Sequence, residues 1–430
     1  MPRGFRVFQA LREFDFTARR YYSKGKKQDF RGERLSGGCK EGRSTGALRI
    51  FYIISAQFVA GLALGWVMHR SDFCMAGVFR DIFLFRDYLR MRALLLLVCL
   101  LALSLYLMRV SRVVSTYPPS FFGTPSAASL LGGVLFGAGM VLGGGCLVST
   151  LYKLGAGNTA SAITFSGVIV GGFISAASYP FVRSFADSTA LFKDKTALEH
   201  ITGSAAAPVL AVSLLMTVLA FKWTKKGRWS QRAYARGYLD LWKASFIMAF
   251  IIAASIAASG RPLAVNAGFE KLSGILGALI LPSAAGKLAY FQIRSPRLLY
   301  GGIMDGGAGP AIDAVALTQF PLMAGIVGGS FLSSSRLKEF RIRRLPPLGQ
   351  AFSAFTGGML MSAGAFMAGG CNLWHVTGGL PVFAFQSMFF VFGVAGGSWL
   401  GAAIIKRTVI EGWRRGELQW KTRLKISSWT

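Results

Sequence analysis

The stretch "AGGCNLWHVTGGLP", residues Ala368 to Pro381, contains a cysteine directly after two glycines and ends in Gly-Gly, Leu and Pro. Gly and Pro at this density interrupt a helix, because Gly loses much conformational entropy there and Pro has no amide donor. Long apolar segments lie on both sides, Gln350 to Met367 before it and Pro381 to Ile405 after it. The sequence therefore predicts a broken helix inside a membrane, with the thiol of Cys371 at the break.

The composition extends this prediction to the whole chain. Of 430 residues, 53% are hydrophobic and 15% are charged, and 53 are glycines, which is untypical of a soluble domain. A helix needs about 20 mostly apolar residues to cross a bilayer. The predicted spans are Leu48 to Val67, Ala93 to Met108, Ala127 to Leu142, Thr159 to Val182, Ala205 to Phe221, Trp242 to Ala258, Leu272 to Phe291, Gln350 to Met367 and Pro381 to Ile405.

The charge of the chain is strongly positive, with 48 Lys and Arg against 18 Asp and Glu. On a soluble protein this excess would indicate nucleic acid as the partner. Here the basic residues flank the predicted spans, and no aromatic-basic recognition module accompanies them, so we predict membrane lipid and no nucleic acid as partner. The four basic segments, which we expect to face the cytoplasm, are Met1 to Arg49, Lys222 to Lys243, Arg336 to Arg344 and the tail after Ile405.

The ends of the chain are predicted to be basic tails. The first tail lacks the continuous apolar core of a secretory signal, so a cytoplasmic tail is favoured over an organellar presequence. We predict tails at residues 1–48 and 408–430 and a single transmembrane domain at 49–407. The expected location is multi-pass in the plasma (inner) membrane, with an organellar membrane as the alternative.

Within that domain, the basic linker separates two segments, residues 49–222 and 242–407, that echo each other. Transporters often consist of two related halves that place broken helices near the bilayer midplane. The predicted fold class is therefore all-α, a polytopic helical membrane protein built from two related halves with re-entrant or broken helices. Five widely spaced cysteines argue against a disulfide framework.

Each half contains the same Gly-rich break. "SLLGGVLFGAGMVLGGGCLVSTLYKLGAGN" (Ser129 to Asn158) and "FTGGMLMSAGAFMAGGCNLWHVTGGLP" (Phe355 to Pro381) place a small-residue helix before Gly-Gly-Cys or Gly-Gly-Gly-Cys. Glycines at this spacing also indicate close helix packing. The residues matched between the halves are Cys146 with Cys371, and Gly145 with Gly370.

A second correspondence precedes this one in each half. "RSDFCMAG" (Arg70 to Gly77) aligns with "RPLAVNAG" (Arg261 to Gly268), so that Cys74 corresponds to Val265. The architecture is thus predicted to be duplicated, whereas the chemistry is duplicated only in part.

Three cysteines at predicted helix breaks are the candidate substrate path. A half-helix that begins at a break presents unpaired N–H groups, which suit an anion, and a thiol adds a weak S–H donor and a soft sulfur. Such a site favours an anion with a soft atom at one end and oxygens at the other. The path residues are Cys74, Cys146 and Cys371, whereas Cys99 lies in an apolar run and Cys39 in the basic tail.

Other chemistries find little support. A soft-metal site of Cys146, Cys371 and His375 lacks further nearby ligands, no C-x-x-C motif indicates a disulfide relay, and no phosphate-binding loop is present. We therefore predict no metal, no cofactor and no enzymatic activity. His375 is interpreted as an interhelical hydrogen-bonding residue. The predicted supporting residues are Gly145, Gly370, Asn372, His375 and Arg80.

The sequence allows two roles for each of two sites that contain acidic residues. Arg80 and Asp81 are adjacent charges that either lock the first broken element or face lipid headgroups. Asp305 and Asp313 lie in a Gly-rich segment that forms either a re-entrant polar loop or a solvated loop, and the solvated loop is favoured.

These motifs resemble the YeeE/YedE family of membrane proteins, whose sulphur transport region serves thiosulfate uptake in some members and is linked to selenium metabolism in others. The matching stretches are "RSDFCMAGVFRDIFLFRDYLR" (Arg70 to Arg90), "GGVLFGAGMVLGGGC" (Gly132 to Cys146) and "GGCNLWHVTGGLPVFAFQSMFFVFGVAGGSWLGA" (Gly369 to Ala402). The resemblance implies an hourglass-like path in which cysteines at the constriction pass a sulfur compound along by transient hydrogen bonds. It places the motif cysteines on Cys74, Cys146 and Cys371.

The predicted function is import of a small sulfur-containing anion, thiosulfate first, through this path. Thiosulfate carriers of the family can have a fourth cysteine where this chain has Val265. Transport of a selenium compound or another sulfur species is therefore the alternative within the class. From a different class, the chain would be a non-transporting membrane protein that docks a cytosolic sulfurtransferase through its basic tails.

Overall fold

The computed structural model describes residues 41–113, 122–192, 195–227, 237–293, 295–299 and 302–407. The described residues do not include residues 1–40 of the predicted N-terminal tail, which contain Cys39, or the predicted tail 408–430. They also leave out part of the basic linker. The chain divides into the units Met1–Ala47 and Leu48–Thr430, and the features discussed below belong to the second. The division of the membrane domain into two related halves remains a prediction.

The described residues are mostly helical. In chain order the helices are α1 (Glu41–Ser71), α2 (Met75–Phe85), α3 (Leu89–Val110), α4 (Ala127–Leu142), α5 (Leu147–Gly155), α6 (Thr159–Ala177), α7 (Tyr179–Ser188), α8 (Glu199–Thr202), α9 (Ala206–Lys225), α10 (Leu241–Ser259), α11 (Asn266–Ile280), α12 (Pro282–Ala285), α13 (Ala289–Gln292), α14 (Ala314–Arg336), α15 (Leu348–Ala368) and α16 (Phe385–Ile405).

Two other kinds of element interrupt the helices. A short antiparallel hairpin, β1 (Ser295–Leu299) and β2 (Gly302–Gly306), lies between α13 and α14. A π-helix (Trp374–Gly379) and a 3-10 helix (Leu380–Val382) lie between α15 and α16.

Nine helical segments of the described residues are long and apolar enough to cross a membrane. The chain is a multi-pass integral membrane protein, as the composition predicted. Two of the segments contain a break, because α1 continues into α2 and α4 continues into α5. Eight of the nine predicted windows coincide with these segments.

The predicted span Leu272 to Phe291 is wrong. Helix α11 ends at Ile280, directly before Leu281 and Pro282, and two four-residue helices follow. Pro282 lacks the amide donor that a continuing helix would need. The ninth span is instead α14, which contains Pro321 and is absent from the predicted spans. Proline inside a membrane helix is tolerated where neighbouring groups satisfy the freed backbone carbonyl.

Glycines bring the central helices into backbone contact. A Cβ atom added to Gly133 of α4 would lie 3.0 Å from the Cα atom of Gly393 on α16. One added to Gly397 of α16 would lie 2.8 Å from the Cα atom of Val134 on α4. The predicted small-residue packing is thus confirmed at these positions, where van der Waals contact and not burial from water drives helix association.

A buried ion pair attaches the segment before α14 to α11. The Lys271 ammonium, fully buried, lies 2.9 Å from the Asp313 carboxylate and donates to the carbonyls of Gly307 and Gly309. Asp313 also accepts from the first amides of α14 and so caps this helix. The solvated loop predicted around Asp313 is wrong, because the residue is 8% exposed and holds two elements together.

Candidate functional site

The alignment of the two segments of this chain with each other matched Cys74 with Val265 and Cys146 with Cys371. A helical segment begins directly after each of these four residues. Helix α2 follows Cys74, α5 follows Cys146, and α11 follows Val265. The helical segment after Cys371 begins at Asn372 and continues as the π-helix. Each break therefore presents the free N–H groups of a helix start next to the side chain at the break.

A shared hydroxyl links two of the cysteines. Ser149 Oγ lies 3.0 Å from Cys74 Sγ and 3.3 Å from Cys146 Sγ, and any of these groups can serve as donor. Ser149 stands three residues after Cys146, on the same face of α5. Although Cys74 and Cys146 are far apart in sequence, their thiols therefore share one partner in the core.

The third cysteine adjoins the same group. The Cys371 side chain is 1% exposed, as is that of Cys146, and the two thiols interact weakly through their charges. The Cys371 sulfur lies near the backbone N–H groups of Val265, Asn266, Leu373 and Trp374. We call Cys74, Cys146 and Cys371 the cysteine cluster.

Two cavities open on the described part of the molecule near this cluster. The larger, with a volume of about 1000 Å³, is named the basic-side cavity because it contacts the ends of the basic segments; its lining includes His69, Asp72, Asp87, Arg90, Tyr152, Lys153, Tyr238, Glu339 and Arg343. The smaller, of about 500 Å³, is named the far-side cavity; its lining includes Ser126, Arg183, Arg261, Asn266, Glu270, Gly369 and Trp374.

Among the described residues, the three cysteines line neither cavity, whereas residues close to them in the sequence line one or the other. Asp72, two residues before Cys74, lines the basic-side cavity, whereas Asn266 and Gly369 line the far-side cavity close to Val265 and Cys371. The cluster cysteines are only 7%, 1% and 1% exposed, respectively. We call the buried region that contains these three thiols and Val265 the waist.

Val265 completes the waist without a thiol. Its side chain is fully buried and its backbone N–H is one of those around the Cys371 sulfur. Like Cys74, Val265 directly precedes a helix, but it contributes an apolar side chain in place of a thiol.

The supporting glycines of the sequence analysis lie directly before Cys146 and Cys371. A Cβ atom added to Gly145 would lie 2.9 Å from the Ser149 Cβ atom. One added to Gly370 would lie 3.0 Å from the His375 Nε2 atom. A larger residue at either position would push against the side chains that the break brings together.

Asn372 and His375 are buried on the segment after Cys371. Asn372 Nδ2 lies 3.8 Å from the Met140 sulfur, and the His375 Nδ1 atom lies 2.9 Å from the Ser387 hydroxyl of α16. The His375 ring also stacks on Phe390. Asn372 Oδ1 and His375 Nε2 have no hydrogen-bond partner in the described part of the chain. In those ranges no three His, Cys, Asp or Glu side chains form a metal-binding group.

Arg80 belongs to a charged network at the end of α2. Its Nε donates to Asp81 Oδ1 over 2.9 Å, and Arg90 of α3 contacts the other oxygen of the same carboxylate. Arg90 also pairs with Asp72 over 2.9 Å. Of the two readings left open for Arg80 and Asp81, the structure favours the lock, because Asp81 is 3% exposed and joins α2 to α3.

Sequence reasoning missed Ser149 and Arg90 as site residues. The signal for Ser149 was available, since a hydroxyl three residues after Cys146 lies on the same helical face. Arg90 lies in the quoted motif that begins at Arg70, but nothing in the spacing shows that α3 folds its first turn back against Cys74.

Comparison with known proteins identifies the family to which the chain belongs. A family model described as sulphur transport matches residues 70–400. The thiosulfate transporter TsuA of Escherichia coli K12 is 24% identical over 373 residues, which cover 82% of this chain and 95% of that protein. TsuA of Spirochaeta thermophila is 26% identical over 367 residues, which cover 83% and 100%.

A shorter similarity includes the probable transporter YedE of Escherichia coli K12, which is 32% identical over 81 residues, 19% of this chain and 20% of that protein. The family match covers the helix breaks, the cysteine cluster and most of the spanning helices. The resemblance inferred from the motifs is thus confirmed, and the chain belongs to the sulphur transport family.

Proposed function

We propose that this protein imports a small sulfur-containing anion, thiosulfate first, through a path lined by Cys74, Cys146 and Cys371. The observation that carries the proposal is the Ser149 hydroxyl shared by the Cys74 and Cys146 thiols, with Cys371 buried at a third helix break. Two relatives named as thiosulfate transporters support this substrate, because the similarity extends over 95% and 100% of their length.

The chemistry of the waist suits such an anion. Thiosulfate has a soft terminal sulfur and three oxygens, so thiols and backbone N–H groups can both bind it. No Lys or Arg among the described residues belongs to the cysteine cluster itself. Donors without a full charge bind an anion weakly enough for it to leave again, which transport requires.

The direction of transport is proposed from charge. The basic-side cavity contacts Tyr238 and Arg343, at the ends of two basic segments that the positive-inside rule assigns to the cytoplasm. An anion would then enter from the far-side cavity, pass Cys371 and leave past Cys74. We propose the plasma (inner) membrane as the location, with an organellar membrane as the alternative.

Flux measurements on purified protein in lipid vesicles test the proposal. We expect uptake of labelled thiosulfate, and a loss of at least tenfold in Cys146→Ala or Cys371→Ala, since a hydrogen bond to a charged group contributes about 1.5 to 3 kcal/mol. Cys99→Ala is the matched control, because this half-buried thiol lies 3.9 Å from Ser213 and outside the cluster. Full activity in both cluster variants would exclude the thiol path.

Two further arms distinguish the alternatives. Selenium compounds and other sulfur anions, supplied as competitors, identify the preferred substrate; a competitor that outperforms thiosulfate replaces it in the proposal. Deletion of residues 1–40, which precede α1, tests the docking role. A self-contained carrier keeps its flux after the deletion, whereas a docking protein shows no flux in either form.

A further inference from the structure

Arg90 lines the basic-side cavity. It lies in the first turn of α3, and its side chain is 24% exposed. One terminal nitrogen pairs with Asp72 and the other with Asp81. The third nitrogen, Nε, is buried and has no acceptor among the described residues. The guanidinium therefore has donor capacity that its present contacts do not use.

The two carboxylates that bind Arg90 differ in how firmly they are held. The Asp81 side chain is 4% exposed and also binds Arg80, so it is a permanent part of the fold. The Asp72 side chain is 62% exposed, and its other contact is a distant one of 3.5 Å to the Tyr152 hydroxyl. Exposed ion pairs contribute little to stability, so little free energy is needed to separate Asp72 from Arg90.

The local charge balance depends on Asp72. Arg80 and Arg90 carry two positive charges and Asp81 one negative charge, which leaves one positive charge at the cavity wall. Asp72 neutralises that charge in the present structure. If the Asp72 carboxylate moves away, the Arg90 guanidinium presents a planar pair of donors suited to an oxyanion.

Arg90 also adjoins the cysteine cluster. A Cβ atom added to Gly77 would lie 3.4 Å from Arg90 Cδ and 3.6 Å from Cys74 Cβ, so both side chains border the same glycine. Asp72 stands two residues before Cys74 and has a φ angle of 47°, a left-handed conformation that Asp and Asn tolerate better than other side chains.

We propose that Arg90 is an anion-binding residue next to Cys74, and that the Asp72 carboxylate occupies it until the transported anion displaces it. The inference rests on the proposed function and adds a second binding position beyond the thiols. Asp72 acts as a built-in competitor: it keeps the guanidinium from holding the anion too tightly and restores the closed arrangement after release.

The test is the concentration dependence of thiosulfate flux in vesicles at one salt concentration. Asp72→Asn removes the competing charge and keeps the shape and the left-handed backbone, so we expect KM to fall about fivefold. Arg90→Gln removes the binding group, so KM is expected to rise about tenfold. The double variant should have the KM of Arg90→Gln, because the competitor has no effect once its binding group is gone.

Asp87→Asn is the matched control. Asp87 lines the same cavity and caps the amide of Leu89, and Asn serves equally well in that role. It removes the same charge without touching Arg90, so KM should remain at the wild-type value. The comparison of Asp72→Asn with Asp87→Asn decides the question even if Arg90→Gln does not fold.

Three results would overturn the inference. They are an unchanged or higher KM in Asp72→Asn, an equal effect of Asp87→Asn, and a lowering of KM by Asp72→Asn that persists without Arg90. If the wild-type protein neither transports nor binds thiosulfate or another sulfur anion, the proposed function fails and this inference fails with it. If the wild type transports and these variants behave otherwise than stated, the inference alone fails.

Discussion

The Ser149 hydroxyl lies 3.0 Å from the Cys74 sulfur, although the two residues are 75 positions apart in the sequence. Ser149 is fully buried and belongs to α5, whereas Cys74 precedes α2. The contact joins two helix breaks that belong to different spanning segments. It makes the waist of the molecule a hydrogen-bonded unit in place of a set of separate thiols.

The first prediction concerns this hydroxyl. We expect Ser149→Ala to lower thiosulfate flux about tenfold, because it removes the shared partner of two thiols and one hydrogen bond is worth about 1 kcal/mol or slightly more. Ser398→Ala is the control, since Ser398 is equally buried but bonds to the Val394 carbonyl in its own helix. Flux in vesicles is the measurement, and equal flux in the two variants would contradict the prediction.

The second prediction concerns the missing thiol. Val265→Cys introduces an S–H donor at the waist beside Cys371, so we expect KM for thiosulfate to fall about threefold, as a weak hydrogen bond of about 0.7 kcal/mol would produce. Val168→Cys, in the buried core of α6, is the control. The prediction fails if kinetic measurements give both variants the wild-type KM.

The third prediction concerns helix packing. Gly397→Ile places a side chain where the α4 backbone lies, with the Val134 Cα atom 2.8 Å from the new Cβ atom. Overpacking of this kind costs about 1 to 3 kcal/mol. The neighbouring Gly396 has nothing within 4 Å of its Cβ position, so Gly396→Ile is a control with the same change of residue. Thermal unfolding in detergent should give a lower midpoint for the Gly397 variant, and equal midpoints would refute the packing argument.

The fourth prediction concerns the buried ion pair. Lys271→Met leaves the Asp313 carboxylate buried without its ammonium, and loss of one partner of a buried pair costs about 3 to 5 kcal/mol. Lys243→Met is the control, because Lys243 is 52% exposed and its pairing with Asp240 contributes at most about 1 kcal/mol. The measurement is again the unfolding midpoint of the purified protein.

A rescue experiment strengthens this prediction. Asp313→Asn in the Lys271→Met background removes the unpaired charge and keeps an oxygen that can cap α14. We expect it to restore more than half of the lost stability. A double variant no more stable than Lys271→Met would show that the electrostatic explanation is wrong.

Much of the fold was predictable because each membrane helix carries its own signal. A span must be apolar over its whole length and must satisfy its backbone internally, so length and hydropathy identified eight of nine segments. The exception was α14, where Pro321 and the preceding glycines imitate a loop. Nothing local to the sequence shows that Lys271 and Asp313 fix this segment against α11.

For the site, local sequence preferences are sufficient to identify two of the helix breaks. Gly ends helices through local conformational limits, so Cys146 and Cys371, each directly after a run of glycines, could be assigned to breaks without a tertiary structure. The break at Cys74 contains no Gly or Pro and was inferred from its correspondence with the second segment. The tertiary structure alone decided what surrounds these thiols: Ser149 between two of them, Arg90 and Asp72 beside Cys74, and the burial of the waist. These contacts join distant segments, and their partners are chosen by the packing of whole helices, which no local pattern records.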